Sequence, residues 1–104
     1  MGFGNMQQMM KQVQKMQRDM QRVQEELKDR VVEGASGGGA VQVEITCGFD
    51  VKAVTIKPEA IDPSDPEFLA ELVRQAMQAA MDRVQEVTQS EMGKVTGGMR
   101  LPGM

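Results

Sequence analysis

The sequence predicts an α+β fold in the order helix, three-stranded antiparallel sheet, helix, with a short Gly/Pro-rich tail. Three observations predict it. Apolar residues recur at alternating steps of three and four from Met6 to Leu27, the period of a helix with a narrow seam. Between Val41 and Lys57 the period drops to two, which is the signature of half-buried strands. After Pro58 a helix-start signal leads into a second long run of helical period. At 104 residues the chain has material for one domain, taken as 1–104.

The first helix is expected over about residues 5–30. Its seam is Met6, Met9, Val13, Met16, Met20, Val23 and Leu27, at the a and d positions of three heptads, and Arg30 interrupts the next seam position. The remaining positions are mostly Gln and charged residues, which are good helix formers. So narrow a seam suits pairing with one partner helix better than burial in a core.

The sheet is expected over about 31–57. Val31 and Val32 open an extended stretch that runs into the Gly34–Gly39 segment, which reads as a hairpin connection. Val41, Val43, Ile45 and Cys47 then alternate with Gln42, Glu44 and Thr46. Gly48-Phe49-Asp50 is a turn, and in the next strand Val54 and Ile56 are expected to face the same way as Val43 and Ile45. Three short strands need a helix over one face to be stable.

The second helix is expected over about 65–92. Ser64 and Glu67 have the spacing of a capping box, with Pro66 in the first turn. Its apolar stripe is Leu69, Leu72, Val73, Ala76, Ala80, Val84 and Val87, and Ala76, Ala79 and Ala80 are small enough to let a sheet approach closely. Residues 93–104 carry too much Gly and Pro to prolong it and read as a tail.

Composition narrows the function. There is no His, so the usual general base, metal ligand and near-neutral pH switch are all missing. The single Cys permits no internal disulfide and fits a reducing cytoplasm. Cys47 falls on the apolar side of a strand, where a free thiol serves as a small hydrophobe. The glycine run lacks the Lys-Ser/Thr of a phosphate-binding loop and leads into a strand. No run of 18 apolar residues offers a membrane span. These features argue against an enzyme, and no cofactor, metal, membrane or small-molecule ligand is expected.

The net charge of −3 hides a segregation. Residues 1–24 hold Lys11, Lys15, Arg18 and Arg22 against Asp19 alone, whereas 64–91 hold six carboxylates against Arg74 and Arg83. The four cations are spaced four, three and four, so they occupy the f and c heptad positions opposite the seam. Such a stripe either lies along phosphates or merely keeps a helix soluble. With no Trp or Tyr and only three Phe, base stacking is disfavoured, so a nucleic-acid target would be a duplex held by its backbone. The Met-rich seam has its own two readings, self-association or the gripping of a partner helix.

Several strings in their order resemble the YbaB/EbfC family of small nucleoid-associated proteins. They are Met6-Gln7-Gln8-Met9-Met10-Lys11-Gln12, the small-residue Gly34–Gly39 segment, Val41-Gln42-Val43-Glu44-Ile45, Val54-Thr55-Ile56-Lys57-Pro58-Glu59 and, most specific, Met92–Gly103. Cys47 stands where Gly is usual, and Lys57 where Asp usually precedes the proline. The resemblance implies an α-β-β-β-α protomer in a tweezer-like homodimer that binds double-stranded DNA, organises the nucleoid and modulates transcription in the cytoplasm. It also implies that the helical ends meet the DNA. On this chain that points to Lys11, Lys15, Arg18 and Arg22, with Lys94 and Arg100 beside them.

Overall fold

A computed structural model of the chain describes residues 3–96. Helix α1 (Phe3–Asp29) leads into strands β1 (Val31–Ser36), β2 (Val41–Thr46) and β3 (Val51–Ile56), and helix α2 (Pro66–Thr96) closes the described chain. The strands form one antiparallel sheet in the order β1-β2-β3. This is the predicted α+β order, with α1 beginning two residues earlier than expected and α2 running four residues further.

The inner face of the sheet follows from its register. Val32 pairs with Ile45, Gly34 with Val43 and Ser36 with Val41. On the other side of β2, Val43 pairs with Val54 and Val41 with Ile56. Val41, Val43 and Ile45 are essentially sealed from solvent, and burial of each contributes about 1.5–3 kcal/mol. Leu72, Ala76, Ala80, Val84 and Val87 of α2 complete the core from above.

The glycine segment divides differently from the expectation. Gly34, Ala35 and Ser36 are not connection but strand, and only Gly37–Gly39 make the turn, all three at positive φ. Gly34 has a reason of its own to be glycine. A Cβ there would lie 2.3 Å from both the Ala76 carbonyl oxygen and the Ala80 amide nitrogen. Strand and helix backbones touch at this point, and the alanines make it possible, as their size suggested. The Ser36 hydroxyl donates to the Leu72 carbonyl beside the same contact.

At the opposite end, Thr46 builds the β2–β3 bend. Its hydroxyl oxygen accepts from the Gly48 and Asp50 amides at 3.2 and 3.0 Å, and its own amide donates to the Asp50 carbonyl at 2.8 Å. The bend leaves Phe49 at φ +69°. Pairing then skips Lys52, so that Ala53 and Val51 face Glu44 and Ile45, and the single-residue bulge breaks the alternation that the sequence suggested.

Two helix ends also differ. The cap of α2 is Asp65, whose carboxylate accepts the Phe68 amide at 3.2 Å, with Pro66 as the first helical residue. Ser64 is turned back instead, donating its hydroxyl and amide to Asp62 Oδ1. A capping signal with Ser64 and Asp65 adjacent is ambiguous by one residue, and the proline at the first helical position settles it. At the far end Gly93–Thr96 continue α2, because Val95 and Met92 find packing that the isolated composition does not reveal. The remainder of the predicted tail, 97–104, lies outside the described residues.

Helix α2 lies over β1 and β2 and leaves β3 bare. Val54 therefore has the orientation expected of it but remains 50% exposed. The predicted separation of the α1 seam from the core holds only for its first half, since Val23 and Leu27 are core residues. The molecule measures 76 × 28 × 16 Å, an elongated shape that a projecting α1 accounts for.

Candidate nucleic-acid interface

The geometry of α1 decides which cations are available. A 3.6-residue turn and a 1.5 Å rise place Lys11, Lys15, Arg18 and Arg22 within about 60° of one another around the axis. They climb it in steps of about 6, 4.5 and 6 Å. All four are exposed, because the helix face that meets the body is the opposite one, through Val23 and Leu27. The stripe read from the sequence is therefore a continuous ladder of cations on the outer side of a helix.

The four are not equivalent. Arg22 lies 3.3 Å from Glu26 and 3.9 Å from Asp19, so its guanidinium is shared between two carboxylates. Among the described residues, Lys11, Lys15 and Arg18 have no carboxylate within ion-pair distance. A phosphate approaching them displaces only water and small ions, whereas at Arg22 it must compete with two anions already in place.

Lys94 is brought to a different place. It reaches Glu91 at 3.2 Å, and Arg30 reaches the same carboxylate oxygen at 3.1 Å. The three join the end of α1 to the last turns of α2. Lys94 first, and then Arg30, hold the Glu91 carboxyl below its ordinary range. In the last turn of α2 a cation also suits the helix dipole. The groove here is lined by Asp19, Arg22, Glu26, Glu91 and Lys94, with Val23 and Val95 at its floor. Three anions against two cations make it a poor seat for phosphate. Arg100, the last of the predicted site residues, lies outside the described residues.

Helix α2 carries its acidic residues on the surface, largely satisfied within the helix. Arg74 contacts Glu71 through Nη2 at 2.6 Å, and Arg83 contacts Glu86 at 3.0 Å. The Arg74 hydrogen bonds lower the Glu71 carboxyl and raise the guanidinium in turn. Lys52 is a cation that the sequence pattern does not single out. It is exposed at the bulge of β3, and no local signal marks it, because the bulge arises from the Thr46 bend and not from the strand itself.

The chain is thus a small α+β fold whose projecting helix carries an exposed row of cations, three of them without a carboxylate partner among the described residues. Comparisons with known proteins give its family. Residues 1–99 match the model of the YbaB/EbfC DNA-binding family, and the chain belongs to that family. It is 52% identical over 103 residues to a nucleoid-associated protein of Bacillus licheniformis, covering 99% of this chain and 96% of that one. A nucleoid-associated protein of Pelotomaculum thermopropionicum is 48% identical over 101 residues, covering 97% and 96%. An uncharacterized Helicobacter pylori protein of known crystal structure shares the fold at 20% identity, with a TM-score of 0.61 over 75% of this chain and 90% of that one. Membership of a DNA-binding family agrees with the reading of the chain as a protein without catalytic function.

Proposed function

We propose that this chain binds duplex DNA as a homodimer, mainly through phosphate contacts made by Lys11, Lys15 and Arg18, and that it thereby organises the nucleoid and modulates transcription. The observation that carries this reading is the ladder itself: three neighbouring cations, exposed on one helix face, without a carboxylate to hold them. Arg22 extends the ladder at the cost of its contacts to Asp19 and Glu26. Lys94 serves the junction of the two helices, and Arg100 is proposed as a further cation for the same phosphates. The names of the relatives, nucleoid-associated proteins, support the same place in the cell.

The bare helix-side face of β3 supports the homodimer. Val51 and Val54 are exposed there although their partners on β2 are buried, and β3 is an edge strand with an unused row of backbone groups. An apolar edge of this kind invites a partner. Two protomers would present six unpaired cations, and a symmetric pair raises the effective concentration of the second arm once the first is bound.

The test is a binding titration on unrelated duplexes at several salt concentrations, with a mass measurement in solution. Binding should weaken steeply with salt and be indifferent to sequence. Replacing Lys11, Lys15 and Arg18 by Gln should leave the fold intact and flatten the log–log salt slope by about 0.9 for each phosphate no longer neutralised. A folded variant with unchanged affinity and slope overturns the site. The rival reading, an arm that grips a partner helix, rests on the exposed Met6, Met9 and Met10 and predicts binding insensitive to salt.

A further inference from the structure

The Met-rich end of the α1 seam is a surface that the cationic ladder does not use. Met6, Met9 and Met10 are each at least 60% exposed and Val13 is 41% exposed, and with Gln14 they line one shallow apolar surface. The charge around it is sorted. The heptad positions that flank the seam between Met6 and Gln17 hold Met10, Gln12 and Gln17, none of them charged. In paired helices these flanking positions commonly carry the charges that choose a partner. Here the cations of the same stretch, Lys11, Lys15 and Arg18, stand at the outward c and f positions instead. Like charges therefore do not oppose the meeting of two identical seams, and no flanking charge selects a foreign helix.

We propose that this surface pairs with the same surface of a second copy, the two α1 arms running antiparallel. The end of α2 decides the direction. Glu91 meets Arg30, whereas Val95, one turn later, lies beside Asp19, Arg22 and Val23, so α2 already covers the seam from Val23 onward. A parallel copy would bring its own α2 into that place, whereas an antiparallel copy overlaps only the open part. Its a positions then meet d positions, with Met6 opposite the copy's Met16 and Met9 opposite the copy's Val13. The contact is isologous and about 15 Å long, and unbranched methionine adapts to the facing side chains. It is separate from the β3 edge. The two ladders, each opposite its own seam, end on the outer sides of the pair. A consequence, which rests on the DNA-binding reading, is that one pair of arms holds two duplexes and bridges them.

The test compares two variants of the full chain. Replacing Met6, Met9 and Val13 by Gln keeps helix-forming residues on an exposed face, so the fold should stand. Sedimentation over a wide range of protein concentration should show the unaltered protein taking one assembly step, a doubling of mass, that this variant lacks. The variant should bind a single duplex with unchanged affinity and salt slope, yet fail to capture a second, labelled duplex on beads that carry the first. Replacing Lys11, Lys15 and Arg18 by Gln should keep the mass step and weaken the hold on both duplexes. Equal masses at every concentration overturn the pairing, and undiminished capture by the seam variant overturns the bridging. If the unaltered protein binds no duplex, the DNA-binding reading falls and the bridging with it, while the mass step still decides the pairing. Direction is read in a Cys47→Ala background from one chain with Met9→Cys and another with Val13→Cys. Under oxidation the mixture should form the mixed disulfide; disulfides formed as readily by each chain alone overturn the antiparallel arrangement.

Discussion

The two halves of helix α1 carry one pattern and meet two different fates. Val23 and Leu27 are 5% and 6% exposed, whereas Met6 and Met9, on the same seam, are 63% and 65% exposed. Nothing in the spacing separates them. What separates them is the reach of α2, whose turns up to Thr96 pass alongside the second half only. The side chains differ accordingly. Branched Val23 and Leu27 occupy the part of the seam that is core, and Met dominates the exposed part, where Val13 is the exception. A helix can thus be half core and half arm without any break in its heptad.

The largest effect that sharpens this contrast is in the core half. Leu27→Ala should destabilise the protein by about 2–5 kcal/mol, whereas Met9→Ala should stay within about 0.5 kcal/mol in denaturant unfolding. Comparable losses at the two sites would break the division. A smaller effect is expected at the start of α2, where neighbouring residues again look alike in sequence. Asp65→Ala should cost about 1 kcal/mol through removal of the cap, and Ser64→Ala much less. The reverse order would return the cap to Ser64.

The smallest effect concerns the clasp at the root of the arm. Glu91 has its carboxyl lowered by Lys94 and Arg30, so its ionised form is favoured by folding. Its contribution is therefore present above the ordinary value of 4.5 and is lost as the pH falls through the lowered value. The stability difference between the protein and its Glu91→Gln variant should accordingly shrink as unfolding is followed from neutral pH down through this range. A difference that stays constant with pH would remove Glu91 from the clasp.

Much of the fold was legible because its signals are local. Heptad spacing marks α1, alternation marks β2, and the ladder of Lys11, Lys15, Arg18 and Arg22 follows from arithmetic on a helix. The Ser64 cap is a local ambiguity with its neighbour Asp65, but the larger misreadings depend on contacts distant in sequence. Gly34 looks like the first residue of a loop, and only Ala76 and Ala80 reveal it as the strand position where two backbones meet. Gly93–Thr96 look like a tail until Val95 is seen beside Val23. The unequal standing of the cations has a local cause instead, in carboxylates three and four residues away on the same helix. Arg22 and Lys94 are indistinguishable in composition from Lys11 and Lys15, and they differ only through Glu26, Asp19 and Glu91.

The absent methyl at Gly34 has an effect beyond the contact it permits. It lets α2 settle directly on β1, where Ala76 and Ala80 meet the strand, while β3 stays beyond the helix as an overhang. The sheet is thus roofed asymmetrically, with β1 covered by the helix and β3 bare. Anything that binds this overhang in the folded chain alone draws the folding equilibrium with it. Through that open strand, how firmly the chain folds becomes coupled to what it meets.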